Sequence, residues 1–177
     1  MKYFIYCITV IVLAGLNFGL FGYLKVFGVA PDLLLLFVVG ASLQRDADDS
    51  FYIAFLGGLF MDFYNGLLAG SFTIAFLLVS LLSYLFIHKL VVFELSWRYL
   101  FAATILSTVF TALFVWFVTA AVFHAGWMQN SIDIRLLRSH LLIEIVYNSL
   151  LAYPIYILAS WLKNFILSLQ GKAHRII

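Results

Sequence analysis

Residues 54–70, AFLGGLFMDFYNGLLAG, decide how the chain folds, because they set one carboxylate inside a long apolar run and surround it with small residues. Ala54, Gly58, Asp62, Gly66 and Gly70 recur every four positions, so wherever the stretch is helical they share one smooth stripe. In a bilayer, apolar side chains gain little by leaving lipid for a neighbouring helix. Association relies instead on close backbone approach over Gly and Ala and on buried polar pairs. A carboxylate near the bilayer centre costs roughly 2.5–3.5 kcal/mol on insertion scales, so Asp62 is expected to face protein or water with a partner, or to be protonated.

Working outward, the whole chain has the same character. Of its 177 residues 66% are hydrophobic and 10% charged, too little polar surface to coat a soluble globule of this size. Mean hydropathy is +1.12. The apolar runs exceed the roughly 20 residues a helix needs to cross the hydrocarbon and lack the alternation of barrel strands, so helices are the expected spanning element. The expectation is an all-α integral membrane protein, a single polytopic domain and a compact bundle of six transmembrane helices. The formal charge of +2 is spread thinly, with no basic tract that suits nucleic acid. Cys7, the one cysteine, excludes an internal disulfide and is expected to pack as a small hydrophobe. The run 3–24 is longer than a signal-peptide core and lacks a small-x-small cleavage site, so it reads as an uncleaved span.

The spans are placed at 3–24, 26–43, 51–69, 71–92, 99–123 and 141–162. Pro31-Asp32 suits a helix start, proline being pre-set for the first turn and Asp favoured beside the positive end of the helix dipole. The apolar segment from there to Leu43 is short, and must recruit 26–30, thin the membrane or be shielded by other helices. Residues 44–50, QRDADDS, read as a solvated loop; Asp46, Asp48 and Asp49 lack the further ligands and turn glycine of a calcium loop. Asn65-Gly66 is a turn signal, so the third helix is expected to end near Tyr64. Ala103, Ser107 and Thr111 share one helix face and Thr104, Thr108 and Ala112 the next, a helix-packing surface. His140, Glu144, Asn148, Ala152 and Tyr156 form a second stripe, with a kink expected at Pro154. Asn17 is expected to bond another helix. With a cytoplasmic N-terminus, Lys2, Arg45, Lys89, Arg98, Lys163, Lys172 and Arg175 lie inside and Lys25, Arg135 and Arg138 outside, so both termini are expected in the cytoplasm.

Gly58, Asp62, Gly66, Gly70, Glu144 and Asn148 are the candidate helix-packing or partner-binding residues. Three roles are open to Asp62: accepting backbone hydrogen bonds at the start of the fourth helix, pairing with a partner subunit or with Arg135 or Arg138, or binding a proton or substrate. Glu144 reads as an interfacial acid near the outer end of its helix. No HExxH or GxSxG occurs, and no catalytic residue, cofactor or metal is expected.

Pro31-Asp32 opening a leucine-rich helix, a polar loop, then GGLFMD followed by NGLLAG and the helix from Ser71 to Tyr84, resembles the bacterial rod shape-determining protein MreD family. YNSLLAYP, Tyr147 to Pro154, is similar to that family's last span. The resemblance is strongest from Pro31 to about Ile87, and its most specific element is G-x-x-x-D with a glycine-containing loop after it. It implies a non-enzymatic inner-membrane scaffold of the elongasome, the peptidoglycan-synthesis complex that maintains cell shape. The implied partners are MreC, the MreB filament, and RodA with its penicillin-binding transpeptidase. The implied fold is similar to the substrate-binding subunits of energy-coupling-factor transporters. The alternative is a substrate-binding membrane subunit of a small-molecule, vitamin-type transporter, since short helices with polar stripes can enclose a ligand cavity.

Overall fold

A computed structural model describes residues 2–23, 25, 27–44, 47–66, 69–90, 97–125, 134–169 and 171. The helices are α1 Lys2–Phe18, α2 Leu20–Tyr23, α3 Leu33–Ser42, α4 Ala47–Asn65, α5 Ser71–Leu90, α6 Trp97–His124 and α7 Ile134–Leu169, and no strand occurs among the described residues. The one-turn helix α2 continues α1 past Gly19. Lys2–Tyr23, Trp97–His124 and His140–Leu169 are each long and apolar enough to cross a membrane; α3 and the Ser71–Phe86 part of α5 are apolar but shorter.

The arrangement is built round α3. Its sequence, LLLLFVVGAS, has no polar face, and a helix that is apolar all round belongs in an interior. All ten residues are buried, against α1, α4, α5, α6 and α7. Ten residues rise only about 15 Å, half the hydrocarbon thickness. Shielding by the other helices is thus how this short segment is accommodated. Gly40 brings α7 close: a side chain there would meet the Ala159 Cβ at 3.4 Å and the Tyr156 backbone at 3.5 Å.

The outside is the reverse of a soluble protein's. Phe63, Leu150 and Phe117 are 85%, 72% and 66% exposed, while Asn148, Thr108, Thr104, Ser80 and Ser42 are buried. Apolar surface outward and polar groups inward is what a hydrocarbon solvent selects, because each buried polar group needs an internal partner. The threonine face expected on α6 is buried as a packing surface, at Ala103, Thr104, Ser107, Thr108 and Thr111. Ser42 donates to the Val38 carbonyl at 2.7 Å and meets the Ser80 hydroxyl at 3.2 Å, joining α3 to α5.

Three boundaries differ from the sequence expectation. The segment placed at 26–43 is helical over Leu33–Ser42 alone, because Phe27 and Gly28 turn the chain with φ of 51° and 83° before Pro31. The segment placed at 51–69 holds α4, which starts earlier than expected, at Ala47, and ends short of 69, at Asn65, as the Asn65-Gly66 signal predicts, with Gly66 at φ 60°. The last helix runs to Leu169, past the expected 162, and continues through Pro154.

The solvated loop expected at 44–50 is partly structured. Asp49, in the first turn of α4, accepts from the Lys2 Nζ at 2.7 Å and from the Tyr6 hydroxyl at 3.0 Å. The Lys163 ammonium donates to the Gln44 carbonyl at 2.8 Å, so α1, α3, α4 and α7 are tied together at one end of the bundle. Asp46 lies outside the described residues, and these contain no cluster of three metal-ligating side chains.

Candidate functional site

Asp62 sits one turn before the end of α4 and is 8% exposed. Its Oδ1 accepts from the Phe72 N–H at 2.8 Å and the Ser71 hydroxyl at 3.4 Å; its Oδ2 accepts from the Thr73 N–H at 3.1 Å and the Thr73 hydroxyl at 2.6 Å. A carboxylate against the first N–H groups of a helix satisfies donors that the helix cannot and meets the positive end of its dipole. The geometry is therefore that of the backbone cap among the three roles open to Asp62. The Arg135 and Arg138 side chains lie outside the described residues.

Gly58 makes that approach fit. A Cβ there would meet the Thr73 Cα, and the Thr73 nitrogen at 2.8 Å, so the α5 backbone occupies the space of a side chain. Gly66 and Gly70 act differently from the stripe expected of them. With α4 finished at Asn65, both lie in the connection at φ 60° and 96°, with no atom near the place of a Cβ. They serve the turn rather than the packing.

Asn148, fully buried on α7, joins three helices. Its Oδ1 accepts from the Asp32 N–H at 2.9 Å and its Nδ2 donates to the Thr108 hydroxyl of α6 at 3.0 Å. Asn17 of α1 accepts from the Leu33 N–H at 3.0 Å, and the Asp32 carboxylate accepts from the Leu35 N–H at 2.9 Å. The head of α3 is thereby satisfied from two neighbouring helices and its own N-cap, as the first N–H groups of a buried helix require.

Beside this head lies a partly open cavity of about 330 Å³, lined by residues of α1, α2, α4, α5, α6 and α7 and by the segment that leads into α3. Asp32 and Glu144 both line it, with Thr111, Trp116, Lys25 and His140. Phe18 and Tyr64, stacked with ring centroids 3.7 Å apart, form part of its wall. Glu144 is half-buried in the cavity wall and not simply an acid at the interface. The ion pair found among the described residues is Lys2–Asp49, at the other end of the bundle, so neither cavity acid is paired with a described cation.

Thr111 has its own signature. Thr104, Thr108 and Thr119 each return their hydroxyl to the carbonyl four residues earlier, at 2.9, 2.9 and 2.7 Å. The Thr111 hydroxyl is buried and makes no hydrogen bond with the described residues. Sequence reasoning placed Thr111 on a packing face and Asp32 at a helix start, and assigned neither to a site. Both line the same cavity as Glu144, brought there by pairings distant in the chain, such as Asp32 with Asn148, 116 residues apart.

A second hollow, about 300 Å³ between α5 and α6, is lined almost wholly by apolar groups such as Val79, Leu82, Phe86 and Phe110, and offers dispersion contacts without directed chemistry. The chain matches no family model, no curated protein and no solved structure. What fold and site define is an all-helical protein with membrane-type surfaces, a carboxylate-clamped hairpin and a polar cavity at the head of a buried helix.

Proposed function

We propose that this chain is a non-enzymatic scaffold subunit of the bacterial cell-elongation machinery. In this reading six alternately directed helices sit in the cytoplasmic membrane with both termini inside, in a bundle similar to energy-coupling-factor substrate-binding subunits. The outer helix faces hold MreC, and through it RodA and its transpeptidase. Contact with MreB is small or indirect, since no stretch between the spans is long enough to fold as a cytoplasmic domain.

The observation that supports this reading is the joint use of the residues that carry the MreD resemblance. Pro31 and Asp32 open the buried helix, and Gly58 and Asp62 lock α4 to α5 across the turn made by Gly66 and Gly70. A motif whose members meet in one structural device is a stronger resemblance than the same letters scattered over a fold. The test is affinity purification of the tagged full chain from a rod-shaped host, with MreC the expected companion and loss of rod shape expected on depletion. Absence of MreC together with normal shape would overturn the reading.

One observation favours a second reading, a small-molecule-binding subunit of a transporter. The cavity is within the size range of ligand pockets and carries convergent polar groups in an apolar wall. A copurifying metabolite with no MreC would favour it.

A further inference from the structure

We propose that the cavity at the head of α3 binds a primary ammonium group, seated between the Asp32 and Glu144 carboxylates with the Thr111 hydroxyl as a further acceptor. The inference rests on the cavity itself and holds under either functional reading.

Charge comes first. Two acids line one partly open cavity with no described cation against either, and the repulsion of carboxylates sharing a site is relieved by a proton on one of them or by a positive charge between them. A helix head suits an anion, but here Asp32 and Leu33 give their N–H groups to Asn148 and Asn17, and Leu35 gives its own to Asp32. Nothing remains there to hold a phosphate, and the acids would repel one.

Hydrogen bonding comes second. Thr111 is 6% exposed, lines the cavity, and carries a hydroxyl unpartnered among the described residues. A buried polar group without a partner is costly, so an occupant that donates to it is favoured. An ammonium with three N–H donors matches three acceptors, namely Asp32, Glu144 and Thr111. A quaternary ammonium has none to give. Trp116 adds an aromatic face on which a cation is attracted.

The mouth completes the match. Lys25 and His140 line the same cavity but are exposed, so an amine carrying a phosphate can place the ammonium inside and the phosphate at these residues. Two sources supply that chemistry: a soluble amine, and the ethanolamine headgroup of a lipid.

The experiment uses the full chain in phosphatidylcholine nanodiscs. One arm titrates free ethanolamine; the other replaces part of the lipid with phosphatidylethanolamine and reads retained lipid by native mass spectrometry. Thermal unfolding is followed in both, with choline as the control. A rise in unfolding temperature with ethanolamine identifies a soluble amine, and a response to the lipid alone identifies the headgroup; either supports the proposal. Glu144→Gln is expected to weaken the response about tenfold or more, as loss of a hydrogen bond between charged groups does. Its unfolding temperature without ligand is expected to be no lower than wild type, since Glu144 makes no hydrogen bond or ion pair with the described residues and the change removes a charge that repels Asp32. Asp32→Asn keeps the cap oxygen and is expected to weaken the response likewise, and Thr111→Val to weaken it less. The proposal is overturned if neither amine source exceeds choline, or if Glu144→Gln responds as wild type.

Discussion

At Asp62 one side chain receives four donors from three consecutive residues, and the consequence of changing it follows from which oxygen serves which donor. Asp62→Asn keeps one acceptor but turns an amide N–H₂ toward the Thr73 N–H, setting donor against donor. A loss of about 1–3 kcal/mol is expected, the range for a buried group left unsatisfied. Asp62→Leu removes both acceptors and is expected to cost more, with the N–H groups of Phe72 and Thr73 exposed to an apolar environment. Reversible unfolding in mixed micelles measures both; equal stability of Asp62→Leu and wild type would remove the clamp from the account. Gly58 is stricter than its place in a small-residue stripe suggests. Because a Cβ would already meet the Thr73 backbone, Gly58→Ala is itself expected to destabilise, and Gly58→Leu further. The sequence showed that Asp62 needed a partner but left three kinds open. The deciding partners, Phe72 and Thr73, contribute backbone N–H groups, which no residue type announces.

At the scale of the helix, α3 is a ten-residue apolar rod whose head depends on two asparagines from other helices. Asn148→Leu withdraws the acceptor for Asp32 and the donor to Thr108 together, and is expected to cost several kcal/mol by loosening α3, α6 and α7 at once. Thr108→Val removes the second of these bonds together with the hydroxyl's own bond to the Thr104 carbonyl, and is expected to cost about 1–3 kcal/mol because the Asn148 N–H is left unsatisfied. The double variant is expected to lose less than the sum of the two single losses, the part beyond Asn148→Leu being the Thr108–Thr104 bond alone, and a double-mutant cycle on the pair measures the coupling. Fully additive losses would show that the Asn148–Thr108 bond carries nothing. The start of α3 and the turn after α4 were legible, because Pro31-Asp32 and Asn65-Gly66 are local signals acting within a few residues. The helix lengths were less so. α3 is buried on every side at half the length a lipid-facing span needs, and burial is set by neighbours distant in sequence. The cavity was illegible for the same reason. Asp32, Thr111 and Glu144 come from three separate segments, and each has a sufficient local explanation when read alone.

For the whole molecule, the contacts fix the relative direction of the helices. α1 leads from the Lys2–Asp49 pair to Asn17 at the head of α3; α3 returns to Gln44, which Lys163 meets; α4 leads from Asp49 back to the Asp62 clamp. α7 closes the circuit, running from Glu144 and Asn148 at the cavity end to Lys163 at the other. The chain thus has two polar ends, and Lys/Arg asymmetry argues which one faces the cytoplasm. Lys2 and Lys163 belong to the Asp49 end, with Lys25 at the cavity mouth, so on the charge count made from the sequence the cavity is expected to open to the outside. Single cysteines in a Cys7→Ser background test this. Ser50 is an unsuitable position because it is fully buried, whereas Asp48 and Asn65 are exposed at opposite ends of α4. A membrane-impermeant thiol reagent applied to intact cells is expected to label Asn65→Cys and to spare Asp48→Cys until the membrane is permeabilised. Labelling of Asp48→Cys with protection of Asn65→Cys would invert the molecule. The cavity would then face the cytoplasm, and its ammonium would have to come from there. Equal labelling of both positions in intact cells would mean that α4 does not separate the two sides of the membrane. The six-span arrangement would then fail, while the clamp and the cavity chemistry, which depend only on local contacts, would stand.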